Sequence, residues 1–144
     1  MLTTDQCRSL RCLAEIMIPA SVEYAMPSAG DDAIFADILQ SLGRDAEHAL
    51  AVVRTLDDMA GGVFGDLEPA RRQAVSAPLL ASDGEALMHL NRIILQCYYR
   101  DDRVMRSLGL EARPPYPKGH EVEQGDWSLL DPVRARPKLY REVP

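Results

Sequence analysis

Six of the ten prolines fall in the last 35 residues, at Pro114, Pro115, Pro117, Pro132, Pro137 and Pro144. Each proline fixes φ and removes a backbone N–H donor, and each disfavours helical geometry at the residue before it. Residues 110–144 are therefore expected to form no long helix and to run as an extended, polyproline-like tail.

The tail is not composed like a solvated linker. Tyr116, Trp127, Leu129, Leu130, Val133 and Tyr140 are spaced along it, and Trp127 is the only tryptophan in the chain. A segment that docks in extended form uses such anchors to offset the cost of becoming ordered. Charge is segregated too. Leu110 to Asp131 holds five acids against two bases, and Pro132 to Pro144 holds four bases against one acid. The two halves would attract each other or set the register on a partner surface.

Before the tail, apolar residues recur at helical spacing. A first helix is expected from Thr3 or Thr4, with Gln6 completing a capping box, through Leu10, Leu13, Ala14 and Met17, and ended by Pro19. A second runs through Ile34, Phe35, Ile38, Leu39 and Leu42 to a stop at Gly43. Asp45 is placed to cap a third, striped by Ala49, Val52, Val53, Leu56 and Met59 and broken by the glycines after Ala60. Asp66 with Pro69 starts a short fourth, closed by Pro78. Ser82 and Glu85 have capping-box spacing and open a fifth, in which Leu87, Met88, Leu90, Ile93, Ile94, Leu95 and Cys97 point in nearly every direction. That helix is expected at the centre. A last short helix spans Arg103 to Leu108 and stops at Gly109. The fold expected is all-α: a small bundle of about five to six helices over residues 1–109, followed by the extended tail of residues 110–144.

A formal net charge of −6 argues against nucleic acid and against anionic membrane surfaces as partners. No apolar run approaches membrane-spanning length. The N-terminal residues show neither a signal-peptide pattern nor a twin-arginine pair, so a cytoplasmic location is expected. Cys7, Cys12 and Cys97 lack metal or haem spacing and read as buried thiols.

Catalytic patterns are scarce. Glu85 and His89 lie four apart on one helix face and could both reach a metal, but a capping Glu85 and a partly buried or surface His89 is the simpler expectation. His48, beside Glu47, is expected on an exposed polar face, and His120 to hydrogen-bond within the tail or to a partner. No nucleotide-binding glycine loop, Walker lysine loop, nucleophile elbow or zinc-protease motif is present. No catalytic, cofactor-binding or metal residue is expected in this chain.

Three stretches together resemble a known family: Leu13-Ala14-Glu15-Ile16-Met17-Ile18-Pro19-Ala20 with Ala29-Gly30 and Phe35; Tyr98-Tyr99-Arg100-Asp101-Asp102-Arg103-Val104 running to Leu108-Gly109; and Pro114-Pro115-Tyr116-Pro117-Lys118-Gly119 with Leu129-Leu130-Asp131-Pro132-Val133-Arg134. The chain is similar to gluconate 2-dehydrogenase subunit 3, the small subunit of FAD-dependent sugar and alcohol dehydrogenases of the glucose-methanol-choline type. Ser21 departs from the acidic residue that often follows the Ile-Pro-Ala element in that family. The resemblance implies a non-catalytic accessory subunit that stabilises a large flavoprotein, with FAD bound in that partner and none in this chain. It implies partner contacts at Tyr98, Tyr99, Tyr116, Trp127, Leu129, Leu130, Arg134, Arg136 and Tyr140. A dedicated chaperone that binds its flavoprotein transiently, or a standalone helical metal-binding protein, are the alternatives.

Overall fold

A computed structural model describes residues 2–138. The chain divides into two units, Met1–Ala112 and Arg113–Pro144.

The first unit is a bundle of six α-helices: α1 (Thr4–Met17), α2 (Asp32–Ser41), α3 (Ala46–Ala60), α4 (Pro69–Leu80), α5 (Glu85–Arg100) and α6 (Asp102–Ser107). A short helix in the second unit, α7 (Asp131–Arg134), makes seven, and no strand occurs among the described residues. This is the all-α architecture read from the periodicity.

Local chemistry sets several boundaries where expected. Thr3 accepts from the Gln6 N–H at 3.2 Å while the Gln6 side chain accepts from the Thr3 N–H at 2.9 Å, a reciprocal capping box at the start of α1. Gly61 ends α3 at φ +73°, a left-handed conformation that glycine adopts without steric cost.

Other boundaries differ. The Asp45 carboxylate makes no cap bond to α3 and turns instead to His89 and Arg92 of α5. Asp66 closes a 3-10 turn, and α4 begins at Pro69 with Glu68 as its N-cap. Pro78 lies inside α4, which continues to Leu80; so near the end, the proline removes one intrahelical bond and the remaining turn survives. Ser82 caps nothing in α5. Its hydroxyl donates back to the Leu79 carbonyl at 2.6 Å, and Gly84 is the N-cap of α5.

The core joins one face of each helix. Helix α5 contributes Leu87, Leu90, Ile93, Ile94, Cys97 and Tyr98, α3 contributes Ala49, Val52, Val53 and Leu56, and α1 contributes Leu10, Leu13 and Ala14. Helix α5 packs against α2, α3 and α6, which makes it central, but it is amphipathic, because Met88 is exposed. Burial of each large side chain stabilises the fold by about 1.5–3 kcal/mol relative to leaving it exposed. Of the cysteines only Cys97 is buried, and Cys7 and Cys12 are half-exposed on α1.

Polar tethers lock the helices together. The fully buried Ser9 of α1 donates to Asp57 of α3 at 3.0 Å and accepts from the Gly65 N–H at 3.1 Å, while Asp57 also accepts from the Phe64 N–H at 2.8 Å. A Cβ on Gly65 would lie 3.1 Å from the backbone of Arg8 and Ser9, so the turn approaches α1 as closely as it does because this residue is glycine. Arg100 of α5 donates to Asp37 at 2.6 Å and to Ser41 at 2.7 Å on α2. Asp31 and Asp101, the N-caps of α2 and α6, are joined by Arg103, which donates to Asp31 at 2.7 and 3.1 Å and to Asp101 at 3.0 and 3.1 Å.

Candidate functional site

The second unit opens with a loop in which Arg113 donates to the Gly119 carbonyl at 2.7 Å. Residues 120–126 have no regular secondary structure. At Asp126 the backbone departs from the extended expectation. Its carboxylate accepts from the Ser128 N–H at 3.0 Å and from the Ser128 hydroxyl at 2.6 Å, and this cap starts a 3-10 turn, Trp127–Leu130, that continues into α7. The Ser128 hydrogen bonds hold the Asp126 carboxyl below the usual carboxylate range. Pro132 is accommodated because it sits in the first turn of α7, where its missing N–H has no intrahelical partner to lose.

The helical turn gathers what an extended chain would separate. Trp127, Leu130 and Arg134 are spaced three and four apart and Leu129 and Val133 four apart, so they fall on neighbouring faces of one short element. The apolar side chains among them face water: Trp127 is 59% exposed, Leu129 74%, Leu130 40% and Val133 56%. Arg134 pairs with Asp131 at 3.2 Å, and Arg136 is exposed beyond the helix. Tyr116 is exposed in the preceding loop. Tyr140 lies outside the described residues.

At the end of α5 the two tyrosines have different roles. Tyr98 is 2% exposed, and its hydroxyl donates to the Pro27 carbonyl at 2.9 Å, so it cannot be the surface contact expected of it. Burial raises its phenol pKa further above the ordinary value. Its position on the inward face of α5, one residue from the exposed face of Tyr99, decides the difference. Tyr99 meets the Tyr98 ring edge-on at 5.4 Å and stays exposed.

The sequence reading missed a second apolar surface. Ser21 and Met26 exchange two backbone hydrogen bonds of 2.9 Å, closing a loop that holds Val22, 99% exposed, and Tyr24 in solvent. Ala25 completes the loop at φ +51°, a conformation alanine rarely adopts, and Ser107 of α6 donates to its carbonyl at 3.1 Å. A loop from Ala20 to Ser28 is expected from the sequence, but neither its closure nor the exposure of its apolar residues is. The available signal is that Val22 and Tyr24 lie on a stretch between Pro19 and Pro27 that has no helical period.

Titratable groups converge where α3 meets α5. The imidazoles of His48 and His89 stack with centroids 4.2 Å apart and planes 12° apart. Asp45 Oδ1 lies 3.2 Å from His89 Nδ1, Arg92 donates to Asp45 Oδ2 at 2.8 Å, and Glu85 Oε1 lies 4.0 Å from His89 Nε2. His48 is half-buried, not on the exposed face expected of it. Glu85 and His89 approach each other as their spacing allows, but the closest carboxylate to His89 comes from the residue before α3.

Comparison with protein-family models, with curated proteins and with solved structures finds no match to this chain.

Proposed function

We propose that this chain is a non-catalytic accessory subunit that stabilises a large FAD-dependent dehydrogenase of the glucose-methanol-choline type by docking its C-terminal unit on that partner. The observation that carries the reading is the exposed cluster of Trp127, Leu129, Leu130 and Val133 on a capped helical turn. A tryptophan and three aliphatic side chains exposed on one short turn are poorly placed for a monomer and well placed for an interface, where aromatic and arginine anchors dominate affinity. Covering the four would contribute about 1.5–3 kcal/mol each before ordering costs, which for a docking segment amount to about 2–5 kcal/mol. What remains, about 1–10 kcal/mol, must still meet the cost of lost translational and rotational freedom, so the four are anchors of an interface and not the whole of it. The preformed turn lowers the ordering cost, and Arg134 and Arg136 add cationic contacts at its rim. FAD and the hydride chemistry belong to the partner in this reading, and substrate choice with them.

The test is co-expression with the protein encoded by the neighbouring gene, followed by affinity purification through a tag on the small chain. A yellow FAD protein should co-purify with the wild-type chain. It should be lost with Trp127→Ala/Leu130→Asp and with removal of residues 113–144, while both variants keep the far-ultraviolet signal of the bundle. Undiminished recovery of the flavoprotein with either variant refutes the reading.

A further inference from the structure

We propose that Asp45, His48 and His89 form a binding site for a borderline first-row divalent cation, with Zn2+ as the reference ion, which ties the start of α3 to α5. One carboxylate oxygen and one ring nitrogen from each histidine lie within 4.8 Å of one another. Two imidazoles and a carboxylate are a donor set that zinc and its neighbours accept, whereas Ca2+ and Mg2+ require an oxygen shell.

Three features make this more than proximity. His89 Nδ1 is shielded from solvent and has no hydrogen-bond partner, although Asp45 Oδ1 lies 3.2 Å away. A cation between that nitrogen and Asp45 Oδ1 would satisfy both atoms, and a buried polar nitrogen otherwise left unpaired costs stability. The outer contacts are also in place. Arg92 holds Oδ2 of Asp45, which leaves Oδ1 as the single ligating oxygen. Glu85 stands 4.0 Å from His89 Nε2, the nitrogen facing away from Asp45, where it can accept the N–H that fixes the imidazole tautomer for binding through Nδ1. Finally, the required rearrangement is small. Ligand atoms about 2.0–2.2 Å from a zinc ion stand closer together than 4.8 Å, and two nearly parallel rings cannot both direct in-plane lone pairs at one ion. One imidazole must therefore tilt out of the stack, a rotation about the broad terminal torsion of histidine. Three protein ligands leave a fourth position for water.

Isothermal titration of the full chain with Zn2+ at neutral pH should show one strong site, with a rise in thermal midpoint on loading. His48→Ala and His89→Ala should each weaken binding at least tenfold, and Glu85→Gln by roughly tenfold, as expected for a contact that orients a ligand. Should His89→Ala fail to fold, His48→Gln at its half-buried position serves the same purpose. Substitution with Co2+ should give visible bands of nitrogen and oxygen ligation without the near-ultraviolet charge transfer of a thiolate. Three results overturn the proposal: no Zn2+ binding, Zn2+ affinity unchanged in the folded histidine variants, or a thiolate spectrum assigning the metal to Cys7 or Cys12.

Discussion

Replacing Arg103 with methionine removes the guanidinium that joins the N-caps of α2 and α6 while keeping an apolar stem of similar reach. Four hydrogen bonds to two carboxylates are lost. The caps themselves persist, because Asp31 still accepts from the Ala33 N–H and Asp101 from the N–H of residue 103. An exposed ion pair would contribute about 0–1 kcal/mol. Here Asp101 and Asp31 are largely shielded, at 16% and 29% side-chain exposure, and the pairing to Asp31 is bidentate. The destabilisation should therefore lie in the range of charge-assisted bonds, about 2 kcal/mol. With an unfolding entropy of about 2.1 cal/mol/K per residue over Met1–Ala112, that corresponds to a thermal midpoint lower by roughly 8 °C.

The same substitution has a pH signature. Hydrogen bonds from Arg103 hold both carboxyls below the usual carboxylate range of about 4. Between that value and the lowered folded values the unfolded chain binds more protons than the folded one, so stability falls as the pH drops through this window. Urea unfolding should thus show the full gap between wild type and Arg103→Met at pH 7, and a smaller gap at an acid pH below the usual carboxylate range, where the aspartates begin to take up protons. A gap that is the same at both pH values, or absent at pH 7, would refute the assignment of this contribution to the Asp31–Arg103–Asp101 bridge.

Tyr98→Phe deletes only the hydroxyl that donates to Pro27 and should cost about 1 kcal/mol in urea unfolding, because the Pro27 carbonyl loses its partner. Gly65→Ala drives a Cβ into the backbone of Arg8 and Ser9 and should destabilise by about 1–3 kcal/mol, whereas Gly62→Ala meets no atom within 4 Å and should stay within about 0.5 kcal/mol of wild type by the same measurement.

What the sequence revealed follows the range over which each interaction acts. The capping box of α1 was legible because both partners lie within three residues, and the core faces because helical period is a local pattern. Ser82 and Asp45 misled for a related reason. Each has the chemistry of a cap, but Ser82 finishes the preceding helix and Asp45 is engaged by α5, 44 and 47 residues further along. The Ser9–Asp57–Gly65 tether and the stacking of His48 on His89 depend on how helices dock, which residue spacing does not encode. In the tail, proline count excluded a long helix but could not exclude one turn that places Pro132 at its start.

The position of Val104 has a consequence for how this chain can change. Among the described residues it is the last that is buried, so the core of the helical unit closes at α6. Trp127, Leu129 and Val133 stand on a turn that Asp126 caps through Ser128, so substitutions at those three positions leave the cap's own partners in place and can vary the apolar surface without recasting the turn.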